Sequence, residues 1–197
     1  MTLSLEERAL AFALLSVRSD EAAGAIAYLD GVSGEPVRRI LKQTEALRGK
    51  RNEERVFQRQ LVKEICRKLK DSALEANNER TLVDCARLLG KVTVGSGLRT
   101  SQLRKFLTEL TRHKSRYGGG NKQEFKHSTL AMLEVQLAYA AARQNSAEPV
   151  RMVVQELIGQ LNHDGVEGYE QLSRLHSFVQ GLVAFHGFYG GKDREGT

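Results

Sequence analysis

In the stretch GLRTSQLRKFLTEL, residues 97–110, Leu103, Phe106, Leu107 and Leu110 fall at i, i+3, i+4 and i+7. The spacing predicts a helix with one buried stripe, capped by Thr100 or Ser101. Its other side carries Arg99, Arg104, Lys105 and Arg112, and the charge continues through Lys114 and Arg116, past Gly118-Gly119-Gly120, to Lys122 and Lys126. Lys and Arg gathered on one helix face suit the neutralisation of phosphates, which releases their condensed counterions. A second set has the same character. Arg51, Arg55, Arg59, Lys63 and Arg67 recur every four residues, two positions out of step with Phe57, Leu61, Ile65 and Leu69. At about 100° per residue the two rows take opposite sides of one helix. Such a ladder fits a nucleic-acid backbone, an acidic protein surface, anionic lipid or plain solvation.

The formal net charge of +6 is the sum of unequal parts. Residues 38–70 hold twelve positive and four negative side chains, a net of +8, and residues 98–126 hold eight and two, a net of +6. The remaining residues therefore sum to −8, with −4 in the first 37 alone. Solvation does not require such clustering, whereas a polyanionic partner favours it. Contacts of this kind position a strand without reading its letters.

Other chemistry finds little support. His113, His127, His163, His176 and His186 form neither an HExxH motif nor any i, i+4 pair, and His176 and His186, ten apart, lie about 80° off a common helix face. No Ser or Cys sits in a nucleophile motif, and the glycine triplet lacks the Lys-Ser/Thr that closes a phosphate-binding loop. Cys66 and Cys85 stand alone, as reduced structural thiols would. The sequence thus implies no catalytic residue, metal or cofactor. No uncharged apolar run approaches the roughly 18 residues of a membrane span, and the N-terminal MTLSLEERALAF is acidic where a secretory signal is basic, so the expected location is cytoplasmic.

The elements that must hold these faces are helical. Only 2 of the 197 residues are Pro, and Leu, Ala, Glu, Lys, Arg and Gln abound, which predicts an all-α chain. Ser4 and Glu7 form a capping box for a first helix bearing Leu10, Leu14 and Leu15. Ser19-Asp20-Glu21 starts a second, running through Ile26 and Leu29 to Asp30-Gly31, and Pro36 opens a third. The basic ladder predicts a helix over 51–76. ERTLVDCARLLG follows, with Leu82, Val83, Ala86 and Leu89 inward, and KVTVGSG reads as a loop. HSTLAMLEVQLAYAAARQ, apolar almost all round, reads as a central helix enclosed by others. SAEPVRMVVQELIGQL and the segment from about Val166 to Gly191 supply the last two. The expected organisation is a short-helix extension at 1–50, the basic amphipathic helix at 51–76, a bundle at 77–193 and a frayed tail at 194–197.

Three blocks then stand out in order: Thr100-Ser101-Gln102-Leu103-Arg104-Lys105-Phe106, the run from Leu130 through Met132-Leu133 to Leu137-Ala138-Tyr139-Ala140-Ala141-Ala142-Arg143, and Phe178-Val179 through Ala184-Phe185-His186 to Phe188-Tyr189-Gly190-Gly191-Lys192. Together, over roughly residues 79–193, the chain resembles the small subunit of type III CRISPR effector complexes, the Csm subunit two family. The resemblance implies a compact five-helix bundle without catalytic activity. It also implies several copies lining an RNA-guided complex beside guide RNA and target RNA, touching the large subunit and the backbone subunits. The family's basic positions fall on Arg104, Lys105, Arg143 and Lys192. A rival from another class is a free-standing helical DNA-binding regulator, with residues 79–112 as helix-turn-helix. Against it, KVTVGSG is longer than the usual three- or four-residue turn, and no helix carries the Asn, Gln and Arg mixture of base reading.

Overall fold

The computed structural model of the chain describes residues 3–18, 30–70 and 73–191. The helix expected over Ser19 to Leu29, and Lys192, lie outside them. Among the described residues there are eight α-helices and no strand: α1 (Leu5–Ala13), α2 (Glu35–Leu47), α3 (Arg51–Leu69), α4 (Glu79–Gly95), α5 (Thr100–Arg116), α6 (Ala131–Arg143), α7 (Glu148–Ile158) and α8 (Gly165–Phe188). The all-α expectation holds, and the five helices expected in the bundle are α4 to α8.

Local chemistry sets the helix ends. The Ser4 backbone N–H donates to Glu7 Oε2 at 2.8 Å while Glu7 N–H donates to Ser4 Oγ at 3.1 Å, the reciprocal cap that opens α1. Pro36 sits in the first turn of α2, where its missing N–H costs nothing. α3 ends at Leu69 and not near residue 76. There Gln160 donates its amide to the Leu69 carbonyl at 2.6 Å and accepts from the Ala73 N–H at 3.0 Å, so a distant side chain satisfies the backbone groups a continued helix would have used. Ala73 and Leu74 then turn into the core.

α4 is the central helix. It packs on α8, α1 and α3, and burial runs without a break from Leu88 to Val94. KVTVG, expected as loop, therefore continues α4, and the helix stops only at a Schellman turn: Gly97 takes φ +73° while Leu98 N–H reaches the Thr93 carbonyl at 3.1 Å and Gly97 N–H the Val94 carbonyl at 3.0 Å. Two polar residues of this run, Lys91 and Thr93, are paired internally. Lys91 Nζ lies 3.0 Å from Asp30 Oδ2, and Thr93 Oγ1 shares a 2.9 Å hydrogen bond with His186 Nδ1. The connection to α5 shrinks to residues 96–99, a length that a helix-turn-helix tolerates, so linker length no longer speaks against that motif. Val83, expected inward, is 43% exposed.

α6 departs further from expectation. It lies at the edge of the bundle, burying only Leu133, Leu137 and Ala141, while Met132, Val135 and Tyr139 are 60%, 58% and 64% exposed. Apolarity all round, which in many helices signals enclosure, here marks a helix with an uncovered apolar stripe. The main core joins residues of α1 and α3 with all five bundle helices. A small second cluster of Leu10, Ala11, Leu14 and Ile40 fastens α2 onto α1.

Candidate nucleic-acid interface

The cap of α5 differs from the expected one. Arg99 is the N-cap residue and Thr100, buried, is the first helical residue; Gln102 Oε1 reaches back to accept from the Arg99 N–H at 3.2 Å. That start fixes the rotation of the helix. Leu103, Leu110 and His113 are buried, Phe106 and Leu107 half-buried, and Arg104, Lys105, Arg112 and Arg116 exposed. At 100° per residue these four cations occupy a sector about 120° wide, centred opposite the buried stripe, over roughly 18 Å of axis. Burial, then the cations of Arg116 and Arg112, pull the pKa of His113 down.

Not every basic residue of the block is equally available. Arg112 is ion-paired with Glu109 on the preceding turn. Lys122 Nζ stands 5.2 Å from the centre of the Tyr169 ring, a cation–π contact that holds the loop against α8. Lys126 pairs with Asp164 at 3.1 Å, and Asp164 also accepts from His127 N–H at 3.0 Å and contacts His127 Nδ1 at 2.8 Å. Those His127 hydrogen bonds, helped by Lys126, bring the Asp164 carboxyl down to about 2. Arg99 and Lys114 are half-buried. Arg104, Lys105, Arg112 and Arg116 are the exposed basic residues of α5, Arg112 with Glu109 as its partner.

On α3, Arg51, Arg55, Arg59, Lys63 and Arg67 are all exposed, as the spacing predicts. The buried face is Leu61, Val62, Ile65 and Leu69, with Phe57 only half-buried. Because each four-residue step advances about 40° round the helix, the ladder winds as it rises. Arg55 and Arg59 border the seam between α3 and α7 beside Glu148, and Lys63 borders it further along beside Arg151, a residue not singled out by sequence. Arg151 is the position next to the apolar Val150, Val153, Val154 stripe, and that was its only signal. Glu148 takes two hydrogen bonds from Arg151, at 2.7 and 2.6 Å, and these, with Arg59 nearby, lower its pKa. The α3 and α5 faces rest on different helices, α3 on α4 and α7, α5 on α8.

What the structure brings together is α5 and α6. The two helices do not pack closely; between them runs a groove of about 610 Å³. Lys105 and Phe106 belong to one wall, Tyr139 and Arg143 to the other, and Leu103 and Leu137 are among the buried residues that line it. The Arg143 guanidinium lies 5.7 Å from the Tyr139 ring centre. Two of the three sequence blocks, far apart in the chain, therefore supply the two sides of one groove. The third works elsewhere: His186 is buried against Thr93, and Gly191 N–H closes α8 on the His186 carbonyl at 2.9 Å.

No group of three or more His, Cys, Asp or Glu suited to a metal ion occurs among the described residues. Burial raises the thiols of Cys66 and Cys85 to about 11 each, so neither is a ready nucleophile. No described helix is long and apolar enough to cross a membrane.

No curated protein and no solved structure matches the chain. The Csm2 Type III-A family model matches residues 76–192, more than half of the chain and the span of α4 to α8. The chain therefore belongs to the Csm2 Type III-A family, the small subunits of type III CRISPR effector complexes.

Proposed function

We propose that this small subunit is a non-catalytic RNA clamp, gripping guide RNA and its paired target RNA through phosphate contacts on the exposed face of α5. The observation that carries the reading is the sector formed by Arg104, Lys105, Arg112 and Arg116, set opposite the buried stripe of the same helix. Cations without a base-reading mixture bind any strand, as a subunit serving interchangeable guides must. Arg143 joins this face across the groove, and the α3 ladder of Arg51, Arg55, Arg59 and Lys63 supplies a second surface for strand or partner. In the cytoplasm the chain would pack against copies of itself, the backbone subunits and the large subunit, which would carry out cleavage and sense target occupancy through helix packing.

The test is binding of the purified chain to two short RNAs of unrelated sequence across a salt series. Replacing Arg104 and Lys105 together by Ala should weaken both RNAs equally and reduce the log–log salt slope by about 1 per residue removed. Loss confined to a single duplex DNA sequence would instead establish the DNA-binding regulator, which the four-residue connection between α4 and α5 permits sterically.

A further inference from the structure

A face that only tracks phosphates has no use for an apolar groove beside it. The α5–α6 groove is floored by buried Leu103, Leu137 and Val150, and Ala140 on its α6 wall leaves open the space a larger side chain would fill. Its volume of about 610 Å³ lies within the roughly 300–1,000 Å³ typical of small-molecule sites. At its edge stands Tyr139, an aromatic ring 64% exposed and shared with the Arg143 guanidinium. An exposed tyrosine on a helix end is ordinary; one that borders an apolar groove, with a cation on each wall, is a stacking platform.

The charges decide what fits. Lys105 on α5 and Arg143 on α6 both line the groove. Glu109, the one carboxylate among the lining residues, is already paired with Arg112. The remaining polar lining is amide: Gln102, whose side chain donates to that of Gln144, and Gln136. A purely apolar anchor from another protein would leave both cations without a counter-charge. An unpaired nucleotide brings a planar apolar face for the ring and floor, and phosphates for the two cations. Amides offer donors and acceptors alike, so they tolerate the edge of any base.

We propose that the α5–α6 groove receives one unpaired base of the bound RNA, stacked on Tyr139 with its flanking phosphates held by Lys105 and Arg143. This rests on the RNA reading above and adds to it: the subunit would hold single-stranded nucleotides through stacking as well as charge, still without sequence preference.

The experiment uses the full chain and a short single-stranded RNA carrying one 2-aminopurine, beside the same RNA with an abasic site at that position. The wild-type chain should quench the 2-aminopurine and bind the base-bearing RNA about tenfold more tightly than the abasic one. Tyr139→Ala should abolish both the quenching and the tenfold preference, while Tyr139→Phe should retain both. Tyr139 is exposed, so neither variant should disturb folding, and circular dichroism checks this. Equal affinity of the wild-type chain for both RNAs, or quenching that survives Tyr139→Ala, overturns the base site while leaving the phosphate clamp intact. If Tyr139→Ala leaves RNA binding as it was but releases the subunit from its effector complex, the groove belongs to a protein partner and the proposal fails. Failure to bind either RNA overturns the clamp and the base site together.

Discussion

Lys91 is 3% exposed, near the C-terminal end of the central helix, and its loss should be felt far from its position. Its ammonium lies 3.0 Å from Asp30 Oδ2 and 5.1 Å from the centre of the Tyr189 ring, while Tyr189 Oη donates to Asp30 Oδ1 at 3.1 Å. Three parts of the chain meet there: the segment before α2, the C-terminal part of α4 and the end of α8. Lys91→Met keeps the length of the stem and removes the charge, leaving the Asp30 carboxylate with the tyrosine hydroxyl alone. Breaking a buried pair from one side costs about 3–5 kcal/mol. The Asp30 side chain keeps 17% of its exposure, so water relieves part of this, and the lower end, about 3 kcal/mol, is expected. For a chain of 197 residues that lowers Tm by roughly 6–12 °C. Tyr189→Phe, which removes one hydrogen bond to a charged group, should cost about 1.5 kcal/mol. Lys91→Met combined with Asp30→Asn should be less destabilised than the sum of the two single variants, because neither then leaves a lone buried charge. Thermal unfolding followed by circular dichroism reads all four. A Lys91→Met variant melting within 2 °C of wild type, by the scale of about 2–4 °C per kcal/mol, would show that the triad does not hold these segments together.

Three further outcomes follow from individual environments. Cys66 and Cys85, with thiols raised to about 11, should resist a thiol reagent such as DTNB at pH 8 in the native chain and react fully once it is unfolded in guanidinium. His113 has a lowered pKa in the folded state, so the unfolded chain binds the extra proton first. Stability should be complete above the ordinary histidine value near 6.5 and fall as the pH drops below it, and His113→Gln should flatten this slope in urea titrations between pH 7 and pH 5. Gly95→Ala would push a methyl group into the backbone carbonyl and ring of Phe12, where α4 crosses α1, and should cost about 3 kcal/mol by urea denaturation.

The elements that sequence made legible are those whose ends are capped locally and whose faces are cleanly divided. α1 has its reciprocal Ser4–Glu7 cap, α2 its proline, α5 its i, i+3, i+4, i+7 stripe, and each folds over nearly the expected span. The misread elements depend on partners distant in sequence. Nothing near Leu69 announces that Gln160 will end α3, and nothing near Lys91 announces that Asp30 will neutralise it and let a helix run through KVTVG. α6 failed for a different reason: apolarity reports that a surface avoids water, not whether the covering group lies in the same chain. Tyr139 was hidden by that reading, because a tyrosine in an apolar run looks like core until the structure leaves 64% of it uncovered.

The same distinction sorts the basic residues, which sequence could count but not rank. A cation whose charge is met inside the fold has less to offer a strand, since binding must displace or share an existing partner. Lys126 is committed to Asp164 and Lys122 to the Tyr169 ring, contacts that shape the loop, and Arg112 shares its charge with Glu109 while staying exposed. Lys105 remains exposed beside the groove, and Arg143 meets only a ring that is itself exposed. Charge density along the sequence therefore does not separate Lys122 and Lys126, which have partners within the chain, from the cations on the two helix walls. On the RNA reading proposed above, affinity from phosphates and capture of an unpaired base would arise at one place, where the apolar cleft lies between Lys105 and Arg143.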